Sequence, residues 1–320
     1  MKKILITGGA GYIGSHTCKL IASSGYEPIC FDNLSTGYKD FVKWGPLITG
    51  DLRDAALLKD TFYKFKPEAV IHFAGSSLVG ESVSNPLKYY DNNVGSTLSL
   101  LNAMKCANVK NIVFSSTCAT YGADTNNPID ESFPQKPINP YGASKLMIEI
   151  ILNSLANTKE INHISLRYFN AAGADKNNEI GEKHNPETHL IPLAINSALG
   201  GDKLKVFGND FPTKDGTAIR DYIHVEDLAS AHIKALEYII DSGKSDFINL
   251  GTGEGYSVKE ILTALKDLGL NPSIIQSPRR IGDPAVLIAN ANKAKDILNW
   301  KPNYNLKEIL ASAKAWHSKN

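Results

Sequence analysis

Lys3-Ile4-Leu5-Ile6-Thr7-Gly8-Gly9-Ala10-Gly11-Tyr12-Ile13-Gly14 decides the fold. A short β-rich run leads into a glycine turn, and helical spacing begins at residue 12. Glycines 8, 11 and 14 stand in GxxGxxG spacing. Gly8 permits a tight turn off the strand. Gly11 lets the backbone approach a pyrophosphate, and Gly14 lets helix and strand pack closely. Phosphates then lie at the helix N-terminus, where unpaired N–H groups and the helix dipole favour anions. Asp32 closes the second β-rich run. A carboxylate there accepts bonds from ribose hydroxyls and repels a 2′-phosphate, so the spacing predicts NAD rather than NADP.

Outward from this turn the chain alternates. Strands are predicted at Lys3–Thr7, Glu27–Asp32, Leu47–Asp51, Ala69–Phe73, Asn111–Ser115 and His163–Phe169, and helices at 12–24, 55–65, 85–107 and 141–157. Such alternation implies a parallel sheet covered on both faces, with ligands at the carboxyl ends of its strands. After Asn170 the rhythm breaks. Residues 171–188 read as a loop, followed by a helix near 190–199, a strand near 204–207 and a helix near 225–240. The expected fold is α/β: a Rossmann-type doubly wound parallel sheet with a smaller, interleaved C-terminal α/β substrate domain. Residues 1–169 form the NAD-binding domain. Residues 170–320 form mainly the substrate domain, with segments returning to the first.

Composition narrows the functional classes. Lys plus Arg number 34 against 33 Asp plus Glu, so the basic excess typical of nucleic-acid binders is absent. No apolar run is long enough to span a bilayer, and Ile4-Leu5-Ile6 is too short for a signal-peptide core. The four cysteines, Cys18, Cys30, Cys106 and Cys118, form no CxxC pair and read as reduced thiols, Cys118 as a small packing residue. A cytoplasmic protein is expected. Of the eight histidines, His184 and His189 belong to no HExxH motif or Cys cluster, so no metal is predicted. His224 reads as a hydrogen-bonded structural residue.

Pro140-Tyr141-Gly142-Ala143-Ser144-Lys145 carries the chemistry. YxxxK on a helix sets Tyr141 and Lys145 on one face. A tyrosine with an ordinary pKa of about 10 is a poor base. An adjacent ammonium and a cationic nicotinamide would stabilise its phenolate, letting Tyr141 take a proton from a sugar hydroxyl while hydride leaves the attached carbon. Upstream, Thr117 ends a β-rich run in a hydroxyl-rich turn and is placed to hydrogen-bond the reacting oxygen.

These pieces together resemble the extended short-chain dehydrogenase/reductase family, and within it the nucleotide-sugar 4-epimerases, over essentially the whole chain. Thr7–His16, Val70–Gly75, Val79–Ser82, Tyr89–Val94, Leu166–Asn170 and Arg220–Val225 carry the likeness. The resemblance implies reversible inversion at C4 of a UDP-hexose, with hydride lent to tightly bound NAD, in a homodimer joined along the helices near 85–107 and 141–157. It puts Gly8, Gly11, Tyr12, Ile13, Gly14, Asp32 and Asn33 on the cofactor. Asp51 and Leu52 would border its adenine. Phe73, Ala74, Gly75, Asn92 and Phe169 would line it beside Thr117, Tyr141 and Lys145. On the substrate side it implies Asn170, His189 and Leu190 as contacts, Phe207 near the uracil, Arg220 and Arg280 on the diphosphate, and Asp283 on the uridine ribose. Paired guanidinium forks suit a buried diphosphate.

Two positions depart from the commoner pattern. Ser77 stands where many members carry a lysine facing the cofactor, which implies weaker NAD retention. Thr117 stands where serine is commoner. Leu287, four residues after Asp283, is smaller than the tyrosine of some relatives and implies room for an N-acetylated sugar. A 4,6-dehydratase is disfavoured because Cys118-Ala119 replace the Asp-Glu that follows the active-site Thr in that branch. A UDP-glucuronate 4-epimerase or decarboxylase, and a non-catalytic NAD-binding protein, remain as alternatives at this level.

Overall fold

The structure is a computed structural model that describes residues 1–123, 128–280 and 282–319. Strands β1 (Lys3–Thr7), β2 (Glu27–Asp32), β3 (Leu47–Thr49), β4 (Ala69–His72), β5 (Asn111–Thr117) and β6 (Asn162–Tyr168) come from the first half. The second half adds β7 (Asn170–Ala172), β8 (Leu204–Phe207), β9 (Ile219–Arg220), β10 (Tyr222–His224), β11 (Asp246–Leu250), β12 (Tyr256–Ser257), β13 (Ile274–Ser277) and β14 (Val286–Leu287). The main sheet has the order β11-β6-β5-β4-β1-β2-β3, all parallel. Strand order reverses at β1, so the crevice beyond its carboxyl end is the switch point where such sheets take ligands.

Eleven α-helices connect these strands among the described residues: α1 (Tyr12–Ser23), α2 (Ala55–Phe65), α3 (Val79–Ser84), α4 (Pro86–Tyr89), α5 (Ser96–Cys106), α6 (Pro140–Asn157), α7 (Leu190–Ala198), α8 (Val225–Ser242), α9 (Val258–Asp267), α10 (Asn292–Leu298) and α11 (Leu306–His317). The period-2 geometry of β1 sends Ile4 and Ile6 to one face and Leu5 to the other. On the first face they meet Ile21 of α1 and Leu228, Leu236 and Ile239 of α8. On the second, Leu5 joins Leu58 and Phe62 of α2, Leu100 and Met104 of α5, and Ile148 and Leu152 of α6. A third core, around Ile195, Val206, Ile261, Leu265 and Leu310, supports the C-terminal elements.

The chain crosses back after residue 170. β11 pairs with β6, and α8 covers the first face of the main sheet. The predicted 85–107 helix is also not uniform: residues Tyr90–Gly95 form a π-helical turn between α4 and α5. Such turns recur at functional sites. Here it carries Asn92 and Asn93 against the cleft loop 73–78. Asn93 accepts from the Ser76 N–H at 2.7 Å and donates to Ser144 Oγ of α6 at 3.0 Å.

Candidate active site

The glycine turn has the geometry its spacing predicts. Gly8 has φ +74, where a side chain is strained, and a Cβ there would lie 2.6 Å from the Ala74 nitrogen. A Cβ on Gly14 would lie 2.2 Å from the Gly8 carbonyl oxygen. On Gly11 it would meet only that oxygen, at 3.3 Å, so this glycine faces open space. Gly11 is also the N-cap of α1 and provides no side-chain cap, which leaves the first-turn N–H groups to an incoming anion. The buried Asp32 accepts from the N–H groups of Ala10 at 3.0 Å and Leu34 at 2.8 Å, fixing the turn. Each oxygen keeps a second lone pair for a ribose hydroxyl. Burial raises its pKa against those two bonds. The turn therefore fits the NAD pyrophosphate and ribose.

A cleft of about 1080 Å³ runs from this turn across the carboxyl ends of the strands. Gly8, Gly11, Tyr12, Ile13, Gly14 and Asp32 line its first end, with Asn33, Asp51 and Leu52 beyond. Arg53 clamps the Asp51 carboxylate through both oxygens, at 2.9 and 2.8 Å, and holds its pKa well below the usual range. Phe73, Ala74, Gly75, Ser77, Asn92 and Phe169 line the middle.

The reacting groups converge at the centre of the cleft wall. Asn139 caps α6 by accepting from the Gly142 N–H at 2.8 Å, and Pro140 occupies the first turn. This start places Tyr141 and Lys145 on the cleft side. The Lys145 ammonium is buried and donates to the Ser115 carbonyl of β5 at 2.8 Å. Burial lowers its pKa to about 8, the Glu149 carboxylate offsetting part of that effect. Thr117 Oγ1 accepts from the Ala119 N–H at 3.1 Å, which leaves its own proton to donate. It hydrogen-bonds the Tyr141 phenol and draws that pKa down.

The lowered phenol expected from the sequence is not produced by the protein's own groups. Burial dominates, with the neighbouring Tyr168 phenol adding to it, and Tyr141 is pushed well up. Stabilisation of a phenolate here awaits the cationic cofactor ring.

Asn170, His189, Arg220, Arg280, Asp283 and Leu287 line the far end. Arg220 pairs with one Asp283 oxygen and Arg280 with the other, at 2.9 Å. In this state Asp283 is thus the anion that holds the two guanidinium groups together, and the ribose role implied for it rests on the resemblance alone. Neither Leu190 nor Phe207 reaches the cleft surface. Leu190 starts α7 with its side chain on the third core. Phe207 lies beneath Arg280, whose Cζ sits 5.1 Å from the ring centre.

Three features escaped the motif reading. Asn93 is held by contacts far apart in sequence. Glu149, one turn beyond Lys145, forms a buried bidentate pair with Arg167 at 3.0 and 2.7 Å and accepts from Gln135 at 2.8 Å. Finally, Glu182, His184, Glu187 and His189 come together beside the cleft, although no metal-binding motif marks them. His224 caps α8, as its structural reading predicts, and contacts Ser312 at 3.0 Å.

A glycine-turn Rossmann sheet with Tyr, Lys and Thr converging on one cleft defines a dinucleotide-dependent enzyme of the short-chain dehydrogenase/reductase class. The sequence model of the NAD dependent epimerase/dehydratase family matches residues 4–251. The chain belongs to that family. It is 52% identical over 318 residues to the UDP-glucose 4-epimerase of Rhizobium meliloti strain 1021, covering 99% of this chain and 97% of that one. The crystal structure of UDP-glucose 4-epimerase from Brucella ovis in complex with NAD superposes with a TM-score of 0.96 at 48% identity, covering 98% of each chain. The UDP-Glc/GlcNAc 4-epimerase of Campylobacter jejuni matches with a TM-score of 0.87 at 42% identity, covering both chains fully at 100%.

Proposed function

We propose that the protein is an isomerase, an NAD-dependent UDP-glucose 4-epimerase that interconverts UDP-glucose and UDP-galactose. The observation that carries this reading is one continuous cleft with the dinucleotide turn at one end, Tyr141, Lys145 and Thr117 at its centre, and the Arg220–Arg280 pair at the other. The diphosphate is the fixed handle, gripped by the two arginines once they exchange Asp283 for phosphate oxygens. Tyr141 accepts the proton of the sugar 4-hydroxyl, with Thr117 donating to the same oxygen region. Lys145, anchored on Ser115, sets a positive charge beside the developing phenolate. Bound NAD⁺ supplies the acceptor for the C4 hydride and gives it back. The 4-keto sugar turns about its link to the diphosphate between the two transfers, and Tyr141 returns the proton to the other epimer.

Cys118 and Ala119 follow Thr117, and burial pushes the Cys118 thiol up to about 12. A neutral thiol and a methyl group offer no acid–base pair for elimination, which favours epimerisation over dehydration. Leu287, part-buried on the cleft wall, supports acceptance of N-acetylated sugars, as does similarity to the Campylobacter jejuni enzyme. Ser77 adds no charge to the cofactor end, which supports weaker NAD retention than a lysine there would give. A homodimer is proposed across α5 and α6, where Leu98, Met147 and Ile150 are exposed. Among the described residues no helix is long and apolar enough to cross a membrane.

A substrate panel tests the reading. UDP-galactose, UDP-N-acetylgalactosamine and UDP-glucuronate are incubated with the enzyme and the products identified by NMR. Formation of UDP-glucose from the first is expected; a 4-keto-6-deoxy or decarboxylated product, or no product, would overturn it.

A further inference from the structure

The segment between β7 and α7 brings four donors together: Glu182, His184, Glu187 and His189. One ligand atom from each lies within 4.8 Å of all the others. Glu182 Oε1 stands 2.7 Å from His189 Nδ1 and 3.3 Å from His184 Nδ1. The Glu187 oxygens stand 3.0 and 3.6 Å from the same two nitrogens. Donors held at 2.0–2.2 Å around a tetrahedral ion are about 3.4 Å apart, within this spread.

Hydrogen bonding does not account for the packing. An imidazole nitrogen carries at most one proton, directed in the ring plane, and so serves one acceptor. His189 Nδ1 makes its bond to Glu187 Oε1 at 3.0 Å. Among the described residues, Glu182 Oε1, on a side chain only 3% exposed, has no hydrogen-bond partner in spite of two nitrogens nearby, and neither has buried His184 Nδ1. Buried polar atoms without partners are rare, and two aimed into one cluster call for a common partner.

A single divalent cation satisfies that requirement. We propose that Glu182, His184, Glu187 and His189 form a binding site for a divalent first-row transition ion of the Zn²⁺ type, for which mixed imidazole and carboxylate donors are suited. Glu182, His184 and His189 also line the cleft, so the ion ties the 182–189 loop into its wall beside the start of α7. These donors share the cleft with Tyr141 and Lys145, and the metal test reads binding without any substrate present.

The test uses the untagged, full-length protein, stripped with a chelator and titrated with Co²⁺ by visible absorption, then with Zn²⁺. About one Co²⁺ per chain is expected, with the strong d–d bands of a four-coordinate ion, displaced by Zn²⁺. His184→Gln and Glu187→Gln should each weaken binding at least about tenfold. No binding at micromolar Co²⁺, or unchanged affinity in both variants, would overturn the proposal. Should a variant fail to fold by circular dichroism, electron paramagnetic resonance of the wild-type Cu²⁺ adduct decides. Couplings to two imidazole nitrogens support the site, and their absence refutes it.

Discussion

At the residue scale, the proposed mechanism hangs on one phenol that the protein itself makes less acidic. Burial raises Tyr141 and lowers Lys145 to about 8, so the protein's own groups favour a neutral phenol beside a weakened ammonium. Removing the hydroxyl alone should therefore stop turnover and leave the fold. Tyr141→Phe is expected to lower kcat by about 10³-fold or more, with a thermal midpoint near that of the parent. Thr117→Val keeps the shape of Thr117 and deletes its donor, and should cost about 10- to 100-fold in kcat, largely restored in Thr117→Ser. Steady-state kinetics with calorimetry check both. Tyr141 and Lys145 were legible as candidates because YxxxK is a local spacing on a helix, and Thr117 because it ends a β-rich run in a hydroxyl-rich turn. The direction of the phenol's shift was not, since it depends on packing from β5 and β6, which are distant in sequence.

Elements explain why the site is rigid. α6 carries Tyr141 and Lys145 on the cleft and Glu149 along the same face one turn further on, where Arg167 of β6 grips it. That buried pair bolts the catalytic helix to the sheet. Glu149→Ala leaves the Arg167 guanidinium buried and unpaired, and should destabilise the fold by about 3–5 kcal/mol in denaturant unfolding. The glycine turn makes a second prediction. A methyl group at Gly14 collides with the Gly8 carbonyl, a backbone atom that cannot rotate away. Gly14→Ala should reopen the turn, costing about 1–3 kcal/mol and most of the bound NAD, measured by release of cofactor on denaturation. Most first-half strands and helices were readable from period and turn chemistry. The π turn at Tyr90–Gly95 was not, because one added residue per turn leaves the helical pattern nearly intact. β11 also went unread: its last three residues, buried in a row against β6, lack the alternation that marks a half-exposed strand.

At the scale of the whole molecule, buried histidines set the acid limit. Burial lowers His16, His163 and His232 to about 4 and His72 and His224 to about 3. Between those values and 6.5 the unfolded chain binds more protons than the folded one, so stability falls as pH drops through this window. At pH 5 each such histidine costs about 1–2 kcal/mol. Burial also pulls His184 and His189 down, but the carboxylates of Glu182 and Glu187 outweigh it and lift them to about 9 and about 10. Their contribution is complete below 6.5 and lost only at alkaline pH, so it cannot offset the acid loss. Thermal midpoints are expected to hold from pH 7 to 6.5 and to drop steeply by pH 5. A flat profile would mean that these histidines are hydrated in solution.

The interleaving of the chain was foreseeable only in outline, since residues 225–250 return to the first sheet through contacts no local pattern encodes. The far end of the cleft was legible mainly through resemblance, because Arg220, Arg280 and Asp283 are joined by folding.

The central claim is that one hydrogen leaves C4 as hydride, stays on the enzyme and returns to the opposite face. Incubating UDP-galactose with the enzyme in D₂O and following the products by proton NMR tests it directly. The account predicts UDP-glucose that keeps protium at C4, without deuterium from solvent. Deuterium at C4, or no UDP-glucose at all, would contradict it.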